Sequence, residues 1–254
     1  MSSWILLRGL MREQRHWGDF PATLAQALQA GDAAARIVTP DLPGNGQRHA
    51  LRSPTRVREI VAFCRNELQA QGLAPPYNLL ALSLGGMAAV EWASHYPQEV
   101  ARLVLINTSM RPYSPFYQRL RWQNYPAIVK QLLAGGVAQQ EAMILRLTSQ
   151  LAGADPRTQL LRRWVDYQCE YPVTQANALR QLLAAARFRA PSARPPVPLL
   201  VLASQGDRLV DHRCSLRLAA AWDAPLRLHP GAGHDLPLDD GAWVARAVAE
   251  WLAI

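Results

Sequence analysis

Three short segments carry a serine, an aspartate and a histidine in settings suited to nucleophilic catalysis. Ser83 lies in A-L-S-L-G-G, Asp207 in S-Q-G-D, and His234 in G-A-G-H-D, and each segment follows an apolar run. A serine hydroxyl is a weak nucleophile at neutral pH. It needs an imidazole to accept its proton and a carboxylate to orient that imidazole. The sequence offers one good candidate for each role.

The small residues around Ser83 favour a sharp turn between a strand and a helix. Ala81 and Gly85 let the two backbones approach closely. The amide of Leu84 would then lie at a helix N-terminus, where it can donate to a developing oxyanion. The turn R-G-L-M-R after the first apolar run offers the amide of Leu10 as a second donor. The alternative is that Ser83 only caps a helix.

The glycines of G-A-G-H-D would let this loop carry the imidazole of His234 back over the serine. Asp207 is the natural carboxylate to hold that imidazole in the productive tautomer. Asp211 and Asp235 are the alternatives, although Asp211 is suited to capping a helix and Asp235 is adjacent to the histidine. The other histidines are expected to be structural or at the surface, with His16 a candidate for the border of the pocket.

Apolar runs and helical spacing alternate along the chain. The apolar runs predict strands over 3–7, 36–39, 77–81, 102–106, 198–203 and 226–229. Helices are predicted over 20–30, from Ser53 or Thr55 to 71, over 85–95 and 211–222, and from 239 to the C-terminus. This alternation predicts a mostly parallel sheet of about six strands with helices on both faces. Ligands bind beyond the carboxyl ends of such strands, where all three candidate residues fall.

The interval 110–195 breaks the alternation and is predicted to be a helical lid inserted into a core formed by 1–109 and 196–254. It holds nine of the chain's 19 aromatic residues. We interpret it as a lid that lines an apolar pocket over the site. The alternative is that a helical insertion simply needs a core of its own.

The same interval carries all of the chain's excess positive charge, with 12 basic and 4 acidic residues against a net charge of +8 for the whole chain. No nucleic-acid recognition module accompanies that charge, so nucleic-acid binding is disfavoured. An acidic carrier protein or an anionic substrate such as a coenzyme-A thioester fits better, the alternative being a solvated arginine-rich surface. The candidate contacts are Arg111, Arg119, Arg121, Arg162, Arg163, Trp122 and Trp164.

Other classes of protein are disfavoured by what the sequence lacks. No metal-ligand motif, phosphate loop or dinucleotide fingerprint is visible, so we expect no metal and no cofactor. No apolar run approaches the ~20 residues of a membrane span, and the first residues do not read as a signal peptide. Three cysteines without metal-ligand spacing are typical of free thiols in the cytoplasm.

The chain resembles the α/β-hydrolase superfamily over nearly its full length. D-L-P-G-N-G, S-L-G-G, L-V-L-I-N-T-S, G-D-R-L-V and G-A-G-H-D-L-P occur in the family's order. The resemblance implies a catalytic triad of Ser83, Asp207 and His234, with Leu10 and Leu84 as oxyanion donors. Within the superfamily the chain is similar to bacterial carboxylesterases of the pimeloyl-[acyl-carrier protein] methyl esterase type. Arg8 replaces the usual histidine after the first strand, and Ala81 replaces the first glycine of the serine turn.

These features predict a serine hydrolase that cleaves carboxylic esters or thioesters with an apolar acyl part through an acyl-enzyme on Ser83. The same fold and triad also support cofactor-free C–C bond hydrolysis, lyase chemistry or acyl transfer, because a fold does not fix a function. A non-catalytic binding protein on the same scaffold would be expected to lack a member of the triad.

Overall fold

Six strands form one sheet in the order β2-β1-β3-β4-β5-β6, and every neighbouring pair is parallel. The computed structural model describes residues 2–29, 31–32, 34–151 and 153–253. The prediction of a six-stranded parallel sheet is confirmed. The strands are β1 (Ser3–Leu7), β2 (Arg36–Val38), β3 (Tyr77–Leu82), β4 (Val100–Ile106), β5 (Leu199–Ser204) and β6 (Leu226–His229).

Helices cover both faces of this sheet, and a run of helices connects β4 to β5. The helices are α1 (Phe20–Leu28), α2 (Val57–Ala70), α3 (Leu84–His95), α4 (Phe116–Arg119), α5 (Tyr125–Ala134), α6 (Val137–Thr148), α7 (Ala154–Glu170), α8 (Gln175–Arg187), α9 (Arg213–Ala221) and α10 (Leu236–Leu252). We call residues 107–198, which contain α4 to α8, the β4–β5 segment. Within the described ranges, no helix combines the length and apolarity needed to cross a membrane.

The alternation of side chains along each strand divides the core into two layers. In β3, Leu79 and Ala81 pack with α2, α3 and α9, whereas Leu80 and Leu82 pack on the opposite face with α1 and α10. The central strands are buried on both faces, which explains why they are mainly apolar, whereas the edge strands β2 and β6 are only partly buried. Most elements differ from prediction by a few residues at one or both ends. Helix α10 begins at Leu236 rather than 239, with Pro237 in its first turn, and it is kinked at Asp240, whose φ of −150° is not helical. Helix α1 ends at Leu28, and the predicted end at residue 30 lies outside the described residues.

Strand order reverses around β1, which pairs with β2 on one side and with β3 on the other. The loops that leave β1 and β3 therefore diverge at the carboxyl edge of the sheet. A crevice at such a reversal is the usual ligand site of a parallel sheet. Leu10 follows β1 and Ser83 follows β3, so both lie at this position.

Candidate active site

Ser83 occupies the turn between β3 and α3. Its backbone has φ 57° and ψ −116°, and a positive φ is uncommon for a residue other than glycine. The amide of Ser83 donates to the carbonyl of Ile106 at 3.0 Å, and the Ser83 carbonyl accepts from Thr108 Oγ1 at 2.8 Å. These bonds hold the strained residue in place, with its half-buried side chain at the carboxyl edge of the sheet.

Glycines around the turn bring three backbones together. A Cβ atom at Gly85 would overlap the carbonyl oxygen of Leu7. One at Gly9 would lie 3.1 Å from the Cβ of Ser83, and one at Gly86 would lie 2.8 Å from the side chain of Thr108. The first turn of α3 therefore sits directly against the end of β1, which places the loop after β1 beside Ser83.

The imidazole of His234 is bonded to Asp207, with 2.7 Å between Nδ1 and Oδ2, and both side chains are buried. A carboxylate can only accept, so Nδ1 carries the hydrogen and Nε2 is left as an acceptor. Oδ1 of Asp207 accepts from the amides of Leu209 and Val210 at 2.8 and 2.9 Å. These bonds fix the orientation of the carboxylate and, through it, the tautomer of the histidine.

Ser83 and His234 line one cavity, although no hydrogen bond joins the two side chains among the described residues. Such contacts are often long before substrate binds. Within the same described ranges, the amides of Leu10 and Leu84 donate to no protein group. Both therefore remain available to an oxygen atom bound near Ser83.

The two alternative carboxylates have other partners. Asp211 pairs with Arg213 at 2.6 Å, and this contact lowers the pKa of the carboxyl to about 2. Asp235 accepts two hydrogen bonds from Arg8, from Nη1 to Oδ1 at 3.0 Å and from Nη2 to Oδ2 at 2.6 Å. The Arg8 guanidinium also lies 4.7 Å from the ring centroid of Trp17. Arg8 is thus buried as half of an ion pair and forms part of the cavity wall.

A buried group of polar side chains fixes the loop after β1. Arg12 lies 2.8 Å from Glu141 of α6, 3.1 Å from Nε2 of His16, and 4.6 Å from the ring centroid of Trp164. Burial, with the charges of Arg12 and Arg8, lowers the pKa of His16 well below its usual 6.5. His16 is therefore a neutral structural residue. It does not border the cavity.

Helix α8 holds the same loop from the other side. The amide of Met11 donates to Oε1 of Gln181 at 2.8 Å. Nε2 of Gln181 in turn donates to Oδ1 of Asn45 at 2.8 Å and to Oγ of Ser53 at 3.1 Å. The side chain of Gln181 therefore ties the candidate oxyanion loop at Leu10 to the turn D-L-P-G-N-G.

Asn107 and Asp239, to which the sequence patterns assigned no role, hold the loop around His234 in place. Nδ2 of Asn107 donates to the carbonyl oxygens of His234 and Gly233 at 2.9 and 3.2 Å. Asp239 accepts from the amide of Gly233 at 2.7 Å and from the hydroxyl of Ser149 at 2.6 Å, and burial raises its pKa. Asn107 directly follows β4, so its position at the active edge was the signal available in the sequence. No pattern in the sequence indicated that Asp239 would contact this loop.

The cavity beside Ser83 has a volume of about 120 Å³ and walls that are mainly aliphatic. The β4–β5 segment supplies most of the apolar wall, and the main contributors are Leu120, Ile128, Met143, Ile144, Leu147 and Leu182. At 10–15 Å³ per water, such a volume holds on the order of ten water-sized groups. This space suits an unbranched apolar chain of medium length.

The interval 110–195 does line an apolar pocket, but with aliphatic rather than aromatic side chains. None of the described residues that line the cavity is Phe, Tyr or Trp. Trp164 packs with Leu145 and Leu160 in a separate small core, and Trp122 is exposed. The alternative, that the helices need a core of their own, accounts for Trp164 because the buried apolar residues of its cluster belong to α6 and α7.

None of the five predicted arginines lines the cavity. Nη2 of Arg111 donates to the carbonyl of Arg187 at 2.9 Å, and Nη2 of Arg119 donates to that of Ala185 at 2.6 Å. These two side chains therefore join α8 to the start of the β4–β5 segment. Arg121 is half-buried, whereas Arg162 and Arg163 are exposed on α7 and open to a partner.

The sheet topology and the turn that carries Ser83 are those of an α/β-hydrolase. The model of the Alpha/beta hydrolase family matches residues 4–247, and the chain belongs to this family.

Relatives of known function differ in how much of the chain they match. A pimeloyl-[acyl-carrier protein] methyl ester esterase from Chromobacterium violaceum is 28% identical over 238 residues, which cover 92% of this chain and 80% of the esterase. A homoserine O-acetyltransferase from Trichlorobacter lovleyi is 37% identical over 71 residues, covering 28% of this chain but only 19% of the acetyltransferase. The chain therefore matches about a fifth of the length of that relative.

Among solved structures, a 2-hydroxy-6-oxo-6-phenylhexa-2,4-dienoate hydrolase from a Rhodococcus strain superposes with a TM-score of 0.79 at 16% sequence identity. The match covers 100% of this chain and 91% of that protein. Likeness at this level of identity establishes the fold.

Proposed function

We propose that this protein hydrolyses carboxylic esters or thioesters whose acyl part is apolar and of medium length. The observation that carries the proposal is the 2.7 Å hydrogen bond between His234 and Asp207 beside a cavity that Ser83 also lines. That bond leaves Nε2 of the imidazole free to accept a proton on the side of the cavity. The aliphatic wall favours an acyl chain over a polar substrate.

The reaction proceeds in two halves. Ser83 Oγ attacks the carbonyl carbon while His234 takes its proton, and Asp207 stabilises the imidazolium. The amides of Leu10 and Leu84 bind the oxyanion. The leaving group departs with the proton from His234, which leaves an acyl-serine. Water then attacks this ester with His234 again as base, and the carboxylic acid is released.

The test is hydrolysis of p-nitrophenyl esters from acetate to dodecanoate by the wild type and by Ser83→Ala. Replacement of Ser192, an exposed serine, by alanine is the matched control. We expect turnover to vanish in Ser83→Ala only, with a fluorophosphonate labelling the wild type and Ser192→Ala. Unchanged turnover in Ser83→Ala would contradict the proposal. A wild type that is labelled but inert on every ester would point instead to C–C bond cleavage or acyl transfer by the same serine.

An anionic leaving group is the finer part of the proposal. Arg162 and Arg163 are exposed on α7, and residues 110–195 carry the chain's positive excess. The relative from Chromobacterium is named for an ester held on an acyl carrier protein. An acidic carrier or a coenzyme-A thioester suits this surface. For octanoyl-coenzyme A, the double replacement Arg162→Gln with Arg163→Gln should raise KM, while KM for p-nitrophenyl octanoate should not change.

A further inference from the structure

Residues 116–129 of the β4–β5 segment expose aromatic rings to solvent. Phe116 is 71% exposed, Trp122 60%, Val129 52% and Tyr117 46%. We call these four residues, which fall within 14 positions of the chain, the aromatic face. In the described ranges, no other aromatic side chain is among the exposed large hydrophobic residues. Exposed rings grouped in this way are typical of an interaction surface.

Other residues of the same stretch line the cavity. Leu120 and Ile128, which alternate along the chain with the exposed residues, line it. The amide of Arg121 donates to the carbonyl of Leu209 at 2.9 Å, and Leu209 also lines the cavity. The stretch that carries the aromatic face therefore also supplies part of the cavity wall.

Positive charge accompanies the aromatic face. Residues 110–140 contain Arg111, Arg119, Arg121 and Lys130 and no aspartate or glutamate. The exposed Arg208 lies beside the same segment, because its carbonyl accepts from Nδ2 of Asn124 at 2.8 Å. The nearby carboxylate of Asp211 is already paired with Arg213. Of these cations, Arg111 and Arg119 bond carbonyls of α8, and Arg121 is half-buried. This leaves Lys130 and Arg208 exposed, and the described residues pair no acid with either.

We propose that the aromatic face rests in the headgroup region of an anionic phospholipid bilayer. Aromatic rings flanked by cations are favoured at that depth, and each cation adds attraction to acidic headgroups. The rings stand on a four-residue helix and the short turn 122–124 and are exposed, so they can enter a soft surface. A bilayer also dissolves apolar acyl substrates. The adjoining cavity would receive such substrates from the bilayer.

The experiment is sedimentation of the full chain with vesicles of phosphatidylcholine alone or mixed with phosphatidylglycerol. It measures binding and does not depend on the chemistry at Ser83. We expect binding to the mixed vesicles, weakened on the order of tenfold or more by Phe116→Ser with Trp122→Ser. Lys130→Gln and Arg208→Gln should each weaken it about fivefold. Leu179→Ser with Leu183→Ser, which changes exposed apolar residues of α8, is the matched control and should bind as the wild type does.

Circular dichroism establishes that each variant is folded before it is compared. Absence of wild-type binding to either vesicle would overturn the proposal. So would equal binding by the wild type and the Phe116→Ser, Trp122→Ser variant. Binding to an acidic protein such as an acyl carrier, with none to anionic vesicles, would show that the aromatic face is a protein-docking surface instead.

Discussion

The guanidinium of Arg8 and the carboxylate of Asp235 form a buried pair joined by two hydrogen bonds between residues 227 positions apart. Asp235 directly follows the candidate base His234, and Arg8 precedes the loop that holds the candidate oxyanion donor Leu10. The pair therefore fixes the distance between two parts of the proposed catalytic machinery. Arg8 stands where the resemblance to α/β-hydrolases leads one to expect histidine, and this contact is the physical reason an arginine fits.

Replacing Arg8 by glutamine should lower the free energy of unfolding by about 3 kcal/mol, because it leaves the carboxylate of Asp235 buried without a counter-charge. The double change Arg8→Gln with Asp235→Asn should lower it by less than the two single changes together. Urea unfolding measures all three variants. Arg227→Gln, which breaks an exposed pair with Glu250, is the control and should change stability by under about 1 kcal/mol. Additive effects of the two buried changes would show that the pair is not coupled.

Replacing Asp207 by asparagine should reduce kcat for p-nitrophenyl esters about 10⁴-fold, since the amide favours the wrong tautomer of His234. Asp211→Asn serves as control because Asp211 pairs with Arg213 and makes no contact with the histidine. It should keep kcat within a few-fold of the wild type. A larger loss of kcat in Asp211→Asn than in Asp207→Asn would show that Asp211, and not Asp207, orients His234.

Alanine at Gly85 should destabilise the protein by about 2 kcal/mol, because its Cβ would overlap the carbonyl oxygen of Leu7. The matched change is Gly31→Ala, where a Cβ would have no atom within 4 Å. Gly31→Ala should leave the melting temperature unchanged or slightly raised. Thermal unfolding compares the two, and equal melting temperatures would show that β1 and α3 separate without loss of stability.

His16 should make stability depend on pH. Its pKa is held well below 6.5 in the folded chain, so the unfolded chain takes up a proton as the pH falls through about 6.5 while the folded chain does not. The free energy of unfolding should therefore fall by up to about 1.4 kcal/mol per pH unit below that value, and this contribution is complete above it. Burial raises the pKa of Glu13 and Asp41, which act in the opposite direction at lower pH.

Denaturant unfolding between about pH 7.5 and 5.5 measures this slope. His16→Gln should flatten it, and His95→Gln, which alters an exposed histidine of α3, should not. The assignment to His16 fails if both variants keep the wild-type slope.

Filling the cavity should shorten the preferred acyl chain. Ile128 lines the cavity, whereas the next residue, Val129, is 52% exposed. In the p-nitrophenyl series we expect a wild-type optimum near hexanoate or octanoate, given room for about ten water-sized groups. Ile128→Trp should move the optimum towards acetate and butyrate, and Val129→Trp should leave it in place. A shift produced by Val129→Trp alone would place the acyl chain elsewhere.

The strands could be predicted because they form mainly apolar runs that end at turn residues, although β2, β4 and β6 each contain an arginine. Ser83, Asp207 and His234 could be chosen because each follows such a strand or sits in a glycine-rich loop. These are local patterns. A parallel sheet brings the residues that follow its strands together at one edge.

Contacts between distant residues left no local pattern. Nothing near Arg8 in the sequence indicates Asp235, and nothing near Met11 indicates Gln181. The aromatic residues of the β4–β5 segment were misleading for a related reason. Their number is visible in the sequence, but whether a ring faces a cavity, a small core or solvent depends on the helix that carries it.

The hydrogen bond from Met11 to Gln181 limits how this enzyme could be re-engineered. Gln181 lies on α8, and this helix would be exchanged if the β4–β5 segment were swapped to alter specificity. Yet the side chain of Gln181 holds the loop that carries Leu10. A chimera would need an equivalent amide oxygen at that place in the donor helix. The proposed acyl preference and the position of the candidate oxyanion loop therefore depend on the same helix, α8.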